Sequence, residues 1–580
     1  MLLDLLREAF PKGSTVPKSF YEARKIVKCL SLGYDTIHAC ENDCVLFRKQ
    51  YANADVCPKC NTSHRKTSKK SLDGKRVHKV PRKVLRYFPI EERLQKMFMS
   101  PKLANDVRWH DEGRTKDGLL RHPADSPDWK HFDNTYPEFA ADSRNLRLTL
   151  ATDGFNPFRL MNCSYSIWPV VIIPMNLPPW QCMKQPNFIL SLLIPGPNSP
   201  GKNMDVYFEP LVDDMHDMFE EGVRTYDSSK DEYFQLHAAL QKTITDFPGL
   251  GYVSACVTSG KVACPHCHSY TCSIHLKNGG KCCYMGHRRF LDANHKFRFD
   301  AASFDGNVEL GTAPKPLTGE EIFKQTEDLP ADFGKDTKKK KTKPNSKGKE
   351  TEEKIIWNRR SIWFRLRYWK DVMLPHNFDV MHIEKNVCDN IINTLLGIDG
   401  KSKDNLNARL DLKLLDIRKY LHPVEVGDSY YLPPAPFSMS SEEKKLFCEV
   451  LKRIKFPDGY ASDIRRHVHV KEKRIIGLKS HDNHILLQHL LPLAVRKTLP
   501  EYVSAVLVRV SNFFKKIYSP VISISDMEKL DAEIAETLSL LETIFLPAFF
   551  DIMVHLMAHL PTQVRISGPV QYSNMYPIER

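Results

Sequence analysis

Four cysteines in "HACENDCVLFRKQYANADVCPKC" have the spacing of a metal knuckle. Cys40 and Cys44 form a C-x3-C pair, twelve residues follow, and Cys57 and Cys60 form a C-x2-C pair. Each short pair lets two thiolates grip one ion from a tight turn, and the segment between can fold as a hairpin that joins the pairs. Four thiolates close a tetrahedral shell, so the ion would be a structural zinc with no open position for water. Four unrelated buried cysteines are the alternative, but two close pairs at ribbon spacing seldom arise by chance. A second C-x2-C pair, Cys264 and Cys267, lies in "CPHCHSYTC", and "KCCYMGHRRFLDANHKFR" follows it. Cys264, Cys267, His287 and His295 would make a Cys₂His₂ site. Cys272, Cys282, Cys283, His266, His268 and His275 are alternative ligands in the same stretch.

Carboxylates form a second set. "LRLTLATDGFNPF" alternates Leu146, Leu148 and Leu150 with Arg147, Thr149 and Ala151, which predicts a strand with one face buried that runs into Asp153. Asp-Gly commonly ends a strand in a turn, and on these thirteen residues alone the turn is the reading. A metal ligand on a rigid sheet edge is the alternative. Asp246 repeats the situation, ending "YFQLHAALQKTIT" before Phe-Pro-Gly. Glu384 borders an apolar helical stripe of Val380, Ile383, Val387, Ile391 and Leu395. A carboxylate there needs a partner, either a salt bridge or a metal.

The elements that must position these acids are legible from hydrophobic periodicity. Strands are expected over 146–153, 166–173 and 188–194, then a helix with Leu211, Met215, Met218, Phe219 and Gly222 on one face. A fourth strand ends at Asp246, and a late helix carries Glu384. This is the element order of an RNase H-like core, in which acids hold two divalent ions for in-line phosphoryl displacement. The expected fold class is therefore α/β: an RNase H-like mixed sheet with a zinc-containing insertion, an N-terminal zinc knuckle and a C-terminal α-helical domain.

Composition is compatible with that reading. The 580 residues suffice for several domains, and 42% are hydrophobic. No apolar run is long enough to span a bilayer, and "MLLDLLREAF" reads as a short amphipathic helix rather than a signal peptide. Fifteen cysteines without an export signal favour metal binding over a disulfide scaffold. The formal charge is +14, and Lys59–Arg86 holds eleven basic residues against Asp73 alone. Such a stretch suits either a phosphate-contacting arm or a solvated surface. "DTKKKKTKPNSKGKE" carries seven lysines and reads as a disordered linker or an import signal.

Longer blocks carry a resemblance. "HACENDCVLFRKQYANADVCPKC", "PPWQCMKQPNFILSLLIPGPNSPGKNMDVYFEPLVDDM", "GVRTYDSSKDEYFQLHAALQKTITDFPGLG", "KVACPHC", "YMGHRRFL" and "HNFDVMHIEKNVCDNI" resemble the large transposase of plant CACTA (En/Spm-like) DNA transposons. "GLKSHDNHILLQHLLPLAVR" and "LPAFFDIMVHLMAHLP" extend the resemblance into a helical domain that follows the transposase in that family. It implies a DDE/D enzyme that cuts element ends and joins the freed 3′-hydroxyls to target DNA. The implied acids are Asp153, Asp246 and Glu384, with Asp379 and Asp389 near the last, and the implied cofactors are Mg²⁺ or Mn²⁺ with structural Zn²⁺. Implied partners are terminal-repeat and target DNA, a second copy on DNA and an element-encoded DNA-binding protein, in the nucleus and not at a membrane.

Three regions are expected: a zinc-knuckle and basic region (1–130), a catalytic core (131–420) with an insertion at about 250–370, and a helical domain (437–580) after the proline-rich "YYLPPAPFSMS". Compared with the family, the chain reads as shortened at both ends. The rival functional reading is therefore a non-catalytic remnant that binds DNA through its zinc modules. Arg288 and Arg289 are expected either as phosphate contacts or as a surface pair.

Overall fold

In the computed structural model, residues 2–10, 16–29, 33–67, 77–158, 165–330, 333–334, 356–457 and 459–579 are described. A seven-stranded mixed sheet organises them. Its strands are β1 (Asp35–Ala39), β2 (Lys83–Tyr87), β3 (Leu146–Thr152), β4 (Trp168–Pro174), β5 (Ile189–Ile194), β6 (Ala238–Thr245) and β7 (His376–Phe378), in the spatial order β1-β2-β5-β4-β3-β6-β7. The first five in that order pair antiparallel, whereas β3–β6 and β6–β7 pair parallel. The β5-to-β6 connection includes α1 (Met204–Glu220), whose Leu211, Met215, Met218 and Phe219 are buried as the periodicity predicts. Gly222 follows at φ +68°, where a Cβ would lie 2.9 Å from the Leu236 carbonyl oxygen, so the chain can turn back tightly there only with glycine.

The expected half-exposed strand is wrong in one respect: every residue of β3 is buried. Arg147 does not face water. Its guanidinium pairs with Asp133 and lies 4.7 Å from the centre of the Trp129 ring. Central strands between parallel and antiparallel neighbours are covered on both faces, so the polar positions must find internal partners. Lys242 on β6 does the same, ion-pairing with Asp128 at 3.1 Å and donating to the Ser567 carbonyl at 3.3 Å.

Register sets the functional edge. Ile244 lies opposite Ala151, and Thr245 opposite Phe378. The chain therefore leaves β3, β6 and β7 at one level, with Asp153, Asp246 and Asp379 next in sequence. Asp246 does not precede a loose turn. It caps α2 (Phe247–Ser254), accepting from the Gly249 amide at 2.8 Å, with proline in the first turn.

Beyond β7 come α3 (Val380–Leu396), α4 (Ser480–Ile485), α5 (Glu501–Ile517), α6 (Ile524–Ile544), α7 (Ile552–Leu556), α8 (Leu560–Ser567) and α9 (Tyr576–Glu579). The helices from α3 to α8 build a second core. They also return to the sheet: Gln563 accepts from the Phe378 amide at 2.8 Å and donates to its carbonyl at 3.0 Å, and Tyr572 and Met575 join the sheet's own core. At the other end, β1 and β2 extend the sheet across the boundary expected at residue 130.

Candidate active site and metal clusters

The sheet edge gathers acids from distant segments. Asp153 follows β3 and accepts from the Gly154 amide at 2.6 Å, so the turn expected there is present as well. Burial first, and then the charges of Asp246 and Glu579, push its carboxyl up to about 6, against the pull of His382. Burial and the Asp379 charge likewise raise Asp246. Glu579, on α9, is raised by burial and by the charges of Asp379 and Asp246, while His382 opposes the shift. Asp153, Asp246 and Glu579 thus feel one another although 426 positions separate the first from the last.

His382 and Asp379 back this cluster. Asp379 caps α3, accepting from the Met381 amide at 3.1 Å and the Met575 amide at 3.4 Å. His382 Nδ1 hydrogen-bonds Asp379, and its Nε2 lies 3.5 Å from a Glu579 oxygen. Burial opposes the imidazolium, but Asp379, Glu579 and Asp246 outweigh it and push the ring up to about 9. Asp379, His382 and Glu579 are close enough together to share one ion. The two carboxylates among them offer the oxygen donors that suit Mg²⁺ or Mn²⁺.

The structure places Glu384 elsewhere. It is buried one turn further along α3, and both of its oxygens face the helical region. Oε2 meets His484 Nδ1 at 2.8 Å and Oε1 accepts from Gln488 at 2.8 Å. Tyr518 lies beside it and is pushed well up, first by burial and then by the charges of Glu384 and Asp379. The partner that a stripe-bordering glutamate needs is thus supplied by α4 and its continuation. Asp389 ion-pairs with Lys385 at 2.9 Å on the same helix.

Two clusters have zinc-site chemistry. Cys40, Cys44, Cys57 and Cys60 converge, as their spacing predicts, and could hold a zinc ion. Cys264 and Cys267 also converge, but with His555 and His559. His559 Nε2 lies 3.3 Å from each sulfur, and His555 Nε2 lies 3.4 Å from Cys267 Sγ and 3.3 Å from His559 Nε2. Zn–S bonds of about 2.3 Å and Zn–N bonds of about 2.0 Å give tetrahedral edges of roughly 3.3–3.8 Å, so the donor set fits zinc.

This corrects the expected ligand set. His287 is buried against Glu542, with Nδ1 2.6 Å from the carboxylate. His295 caps a short helix, Lys296–Phe299, accepting from the Phe297 amide at 3.2 Å. A signal for the histidines that meet Cys264 and Cys267 was in the sequence: "HLMAH" puts two histidines four residues apart, the spacing of two ligands on one helical face. Nothing around Glu579 marks it in the same way.

Several expected phosphate contacts are internal. Arg288 is buried, pairing with Asp305 at 2.7 Å and donating to backbone carbonyls. Arg289 lies 3.8 Å from Glu309. Within Lys59–Arg86, Arg82 pairs with Glu41 at 2.8 Å and Lys83 with Asp43 at 2.5 Å. Residues 68–76, which include Lys69, Lys70, Lys75 and Arg76, lie outside the described residues, as does the lysine run at 336–350.

Comparison with known proteins follows the same geometry. A search of curated proteins finds no match. Residues 517–580 match a domain of unknown function, DUF4218, and contain His555, His559 and Glu579. Residues 117–329 match the transposase family tnp2 and contain Asp153, Asp246, Cys264 and Cys267. The acid cluster and the Cys₂His₂ cluster each draw residues from both matched segments, and together these matches support a transposase-like protein.

Proposed function

We propose that this chain is a DNA transposase whose active site is Asp153, Asp246 and Glu579 on an RNase H-like core, with the specific resemblance being to CACTA (En/Spm-like) transposases. The observation that carries the reading is the convergence of three carboxylates, Asp153 and Asp246 half-buried and Glu579 more exposed, each raised by partial burial and neighbouring charge, on the edge where parallel strands end. The strand order β5-β4-β3-β6-β7, three antiparallel strands followed by two parallel ones, supports the fold.

Each residue has a role in that reading. Asp153 and Asp246 sit on rigid strand ends, so their oxygens are held in place before a ligand arrives. Glu579 closes the set from α9. His382, braced by Asp379, orients Glu579 and offsets part of the cluster's negative charge. When bound, two divalent ions would activate the attacking oxygen and stabilise the leaving one at a scissile phosphate. Structural zinc in the Cys₂His₂ cluster would tie the segment after β6 to the segment that delivers Glu579. The Cys₄ knuckle would hold the base of the cationic arm, and DNA and a second copy on DNA are the partners. We place the protein in the nucleus, where such DNA resides.

A cleavage assay on flanking terminal repeats, with Mg²⁺ or Mn²⁺, tests the reading. Asp153→Asn, Asp246→Asn and Glu579→Gln are each expected to abolish cleavage while DNA binding persists. Glu384→Gln is expected to cleave wherever it folds. Wild-type protein that binds the repeats without cutting them under either metal would favour the non-catalytic remnant instead.

A further inference from the structure

The described residues between β3 and β4, 153–158 and 165–167, lie at the edge where Asp153 and Asp246 emerge, and their base is firmly held. A Cβ on Gly154 would fall 2.7 Å from the Trp168 ring, so glycine lets the two arms close on each other. Phe155 and Ile167 exchange backbone hydrogen bonds of 2.9 and 3.0 Å. Ser166 donates to the Pro197 carbonyl at 2.7 Å. Trp168 is buried, and its ring centre lies 6.0 Å from that of Tyr252 on α2, the helix that Asp246 caps.

On this braced base stand two aromatic rings that the protein leaves in water. Phe155 is 48% exposed and Phe158 is 53% exposed. The Asn156 side chain fixes the intervening turn by accepting from the Phe158 amide at 3.0 Å, and Tyr165 meets the edge of the Phe158 ring at 5.2 Å and 83°. An exposed phenylalanine on a mobile tip would need no explanation. Two of them following a braced base next to Asp153 give an apolar surface beside the acid cluster. Phe155 is two residues from Asp153, at most about 7 Å of chain, a distance comparable to two nucleotide steps of about 3.4 Å along a strand.

We propose that Phe155 and Phe158 form a stacking platform for nucleobases beside the scissile phosphate, holding them unstacked from the duplex. The inference deepens the acid-cluster reading and rests on it for the position of the phosphate. Planar bases of any sequence fit such rings, because every base offers a π face. A protein partner's apolar side chain is the competing occupant, and the test separates the two.

The test uses full-length protein and a synthetic splayed-arm DNA duplex with 2-aminopurine at the junction, in Ca²⁺ so that binding is read without turnover. Wild type is expected to change the 2-aminopurine fluorescence on binding. Phe155→Leu/Phe158→Leu should abolish that change, and Phe155→Trp/Phe158→Tyr should keep it. Both variants alter exposed positions, and matched circular dichroism confirms their folding. In the Mg²⁺ cleavage assay the leucine pair should cut about 10- to 100-fold more slowly, the range expected for losing base stacking, while duplex affinity and its salt dependence stay unchanged. An abasic nucleotide at the junction should restore much of that rate, because no base then needs to be held out. Unchanged fluorescence and unchanged cleavage in the leucine pair would overturn the platform while leaving the acid cluster standing. A leucine pair that loses the fluorescence change in a protein whose wild type never cuts would uphold the platform and overturn the acid reading.

Discussion

The two cysteine-containing clusters have similar metal chemistry but opposite architectures. Cys40, Cys44, Cys57 and Cys60 lie within 21 residues of sequence, and their partners could be named from spacing. Cys264 and Cys267 take their histidines from nearly 300 residues away, across the insertion, β7 and most of the helices. A local set can close as soon as one hairpin forms. A distant set closes only after the sheet and the helical region have docked, so an ion there reports on tertiary structure and helps hold it. The lesson is that spacing identifies ligands when the loop is short, whereas a nearby histidine such as His287 can be a decoy satisfied by another residue, here Glu542.

That contrast can be broken most directly by removing distant ligands. With structural zinc worth about 10 kcal/mol or more in apparent binding free energy, His559→Ala or Cys264→Ser should cost one zinc per chain by metal analysis. Either should also expose the α7–α8 region to proteolysis and remove cleavage with it. His287→Ala should retain both zinc ions although it strips Glu542 of its partner. Loss of zinc in His287→Ala together with retention in His559→Ala would reverse the assignment.

The local cluster should yield a smaller and more confined effect. Cys57→Ser should lose the other zinc and loosen the knuckle, while the sheet keeps most of its hydrogen-exchange protection. Global unfolding on this substitution would show that the knuckle is as deeply coupled to the core as the distant site.

The acid edge gives a pH-dependent effect of order 1 kcal/mol. Asp153 has an ordinary carboxylate value near 4 in the unfolded chain and about 6 in the folded one. The unfolded chain therefore releases that proton first. The Asp153 contribution to metal-free stability should be highest below about pH 4, fall as pH rises to about 6, and level off above it. Asp153→Asn should flatten that slope, leaving the part due to Asp246 and Glu579, and be the more stable protein at neutral pH without metal, whereas added Mg²⁺ should stabilise only the wild type. Thermal denaturation from pH 4 to 7.5, with and without Mg²⁺, reads all three outcomes.

Glu384→Gln gives the smallest expected change. Gln keeps the size and can still accept from Gln488, but it loses the charge paired with His484. A cost of about 1–2 kcal/mol follows from weakening one buried charge-assisted hydrogen bond. Cleavage by the folded fraction should match wild type, which sharpens the distinction between a glutamate that fastens α3 to α4 and one that holds a divalent ion.

How far the sequence reached varied with the range of the interaction. β3, β4 and β5 were readable to within two residues and α1 to within three, because a strand or helix records its own period in its apolar positions. The Cys₄ set was readable for the same local reason. The complete burial of β3 was not, since alternation alone cannot show that Arg147 has Asp133 and Trp129 waiting on its polar side. Glu384 had the right residue type beside an apolar helical stripe, yet its direction was decided by His484 and Gln488 on an element 100 residues away.

The sequence by itself determined β3, β4, β5 and α1, the order in which they occur, the two aspartates that follow β3 and β6, and the local Cys₄ set, but not β1, β2 or β7. Only the tertiary structure decided which carboxylate faces those aspartates, which histidines face Cys264 and Cys267, and that the last helices return to the sheet. The reason is physical. Periodicity and short spacings are imposed by backbone geometry over a few residues, whereas long-range partners are chosen by the register of parallel strands and by the docking of two cores. The register that sets Ile244 beside Ala151 brings Asp246 beside Asp153, and the return of α8 and α9 to β7 brings in Glu579.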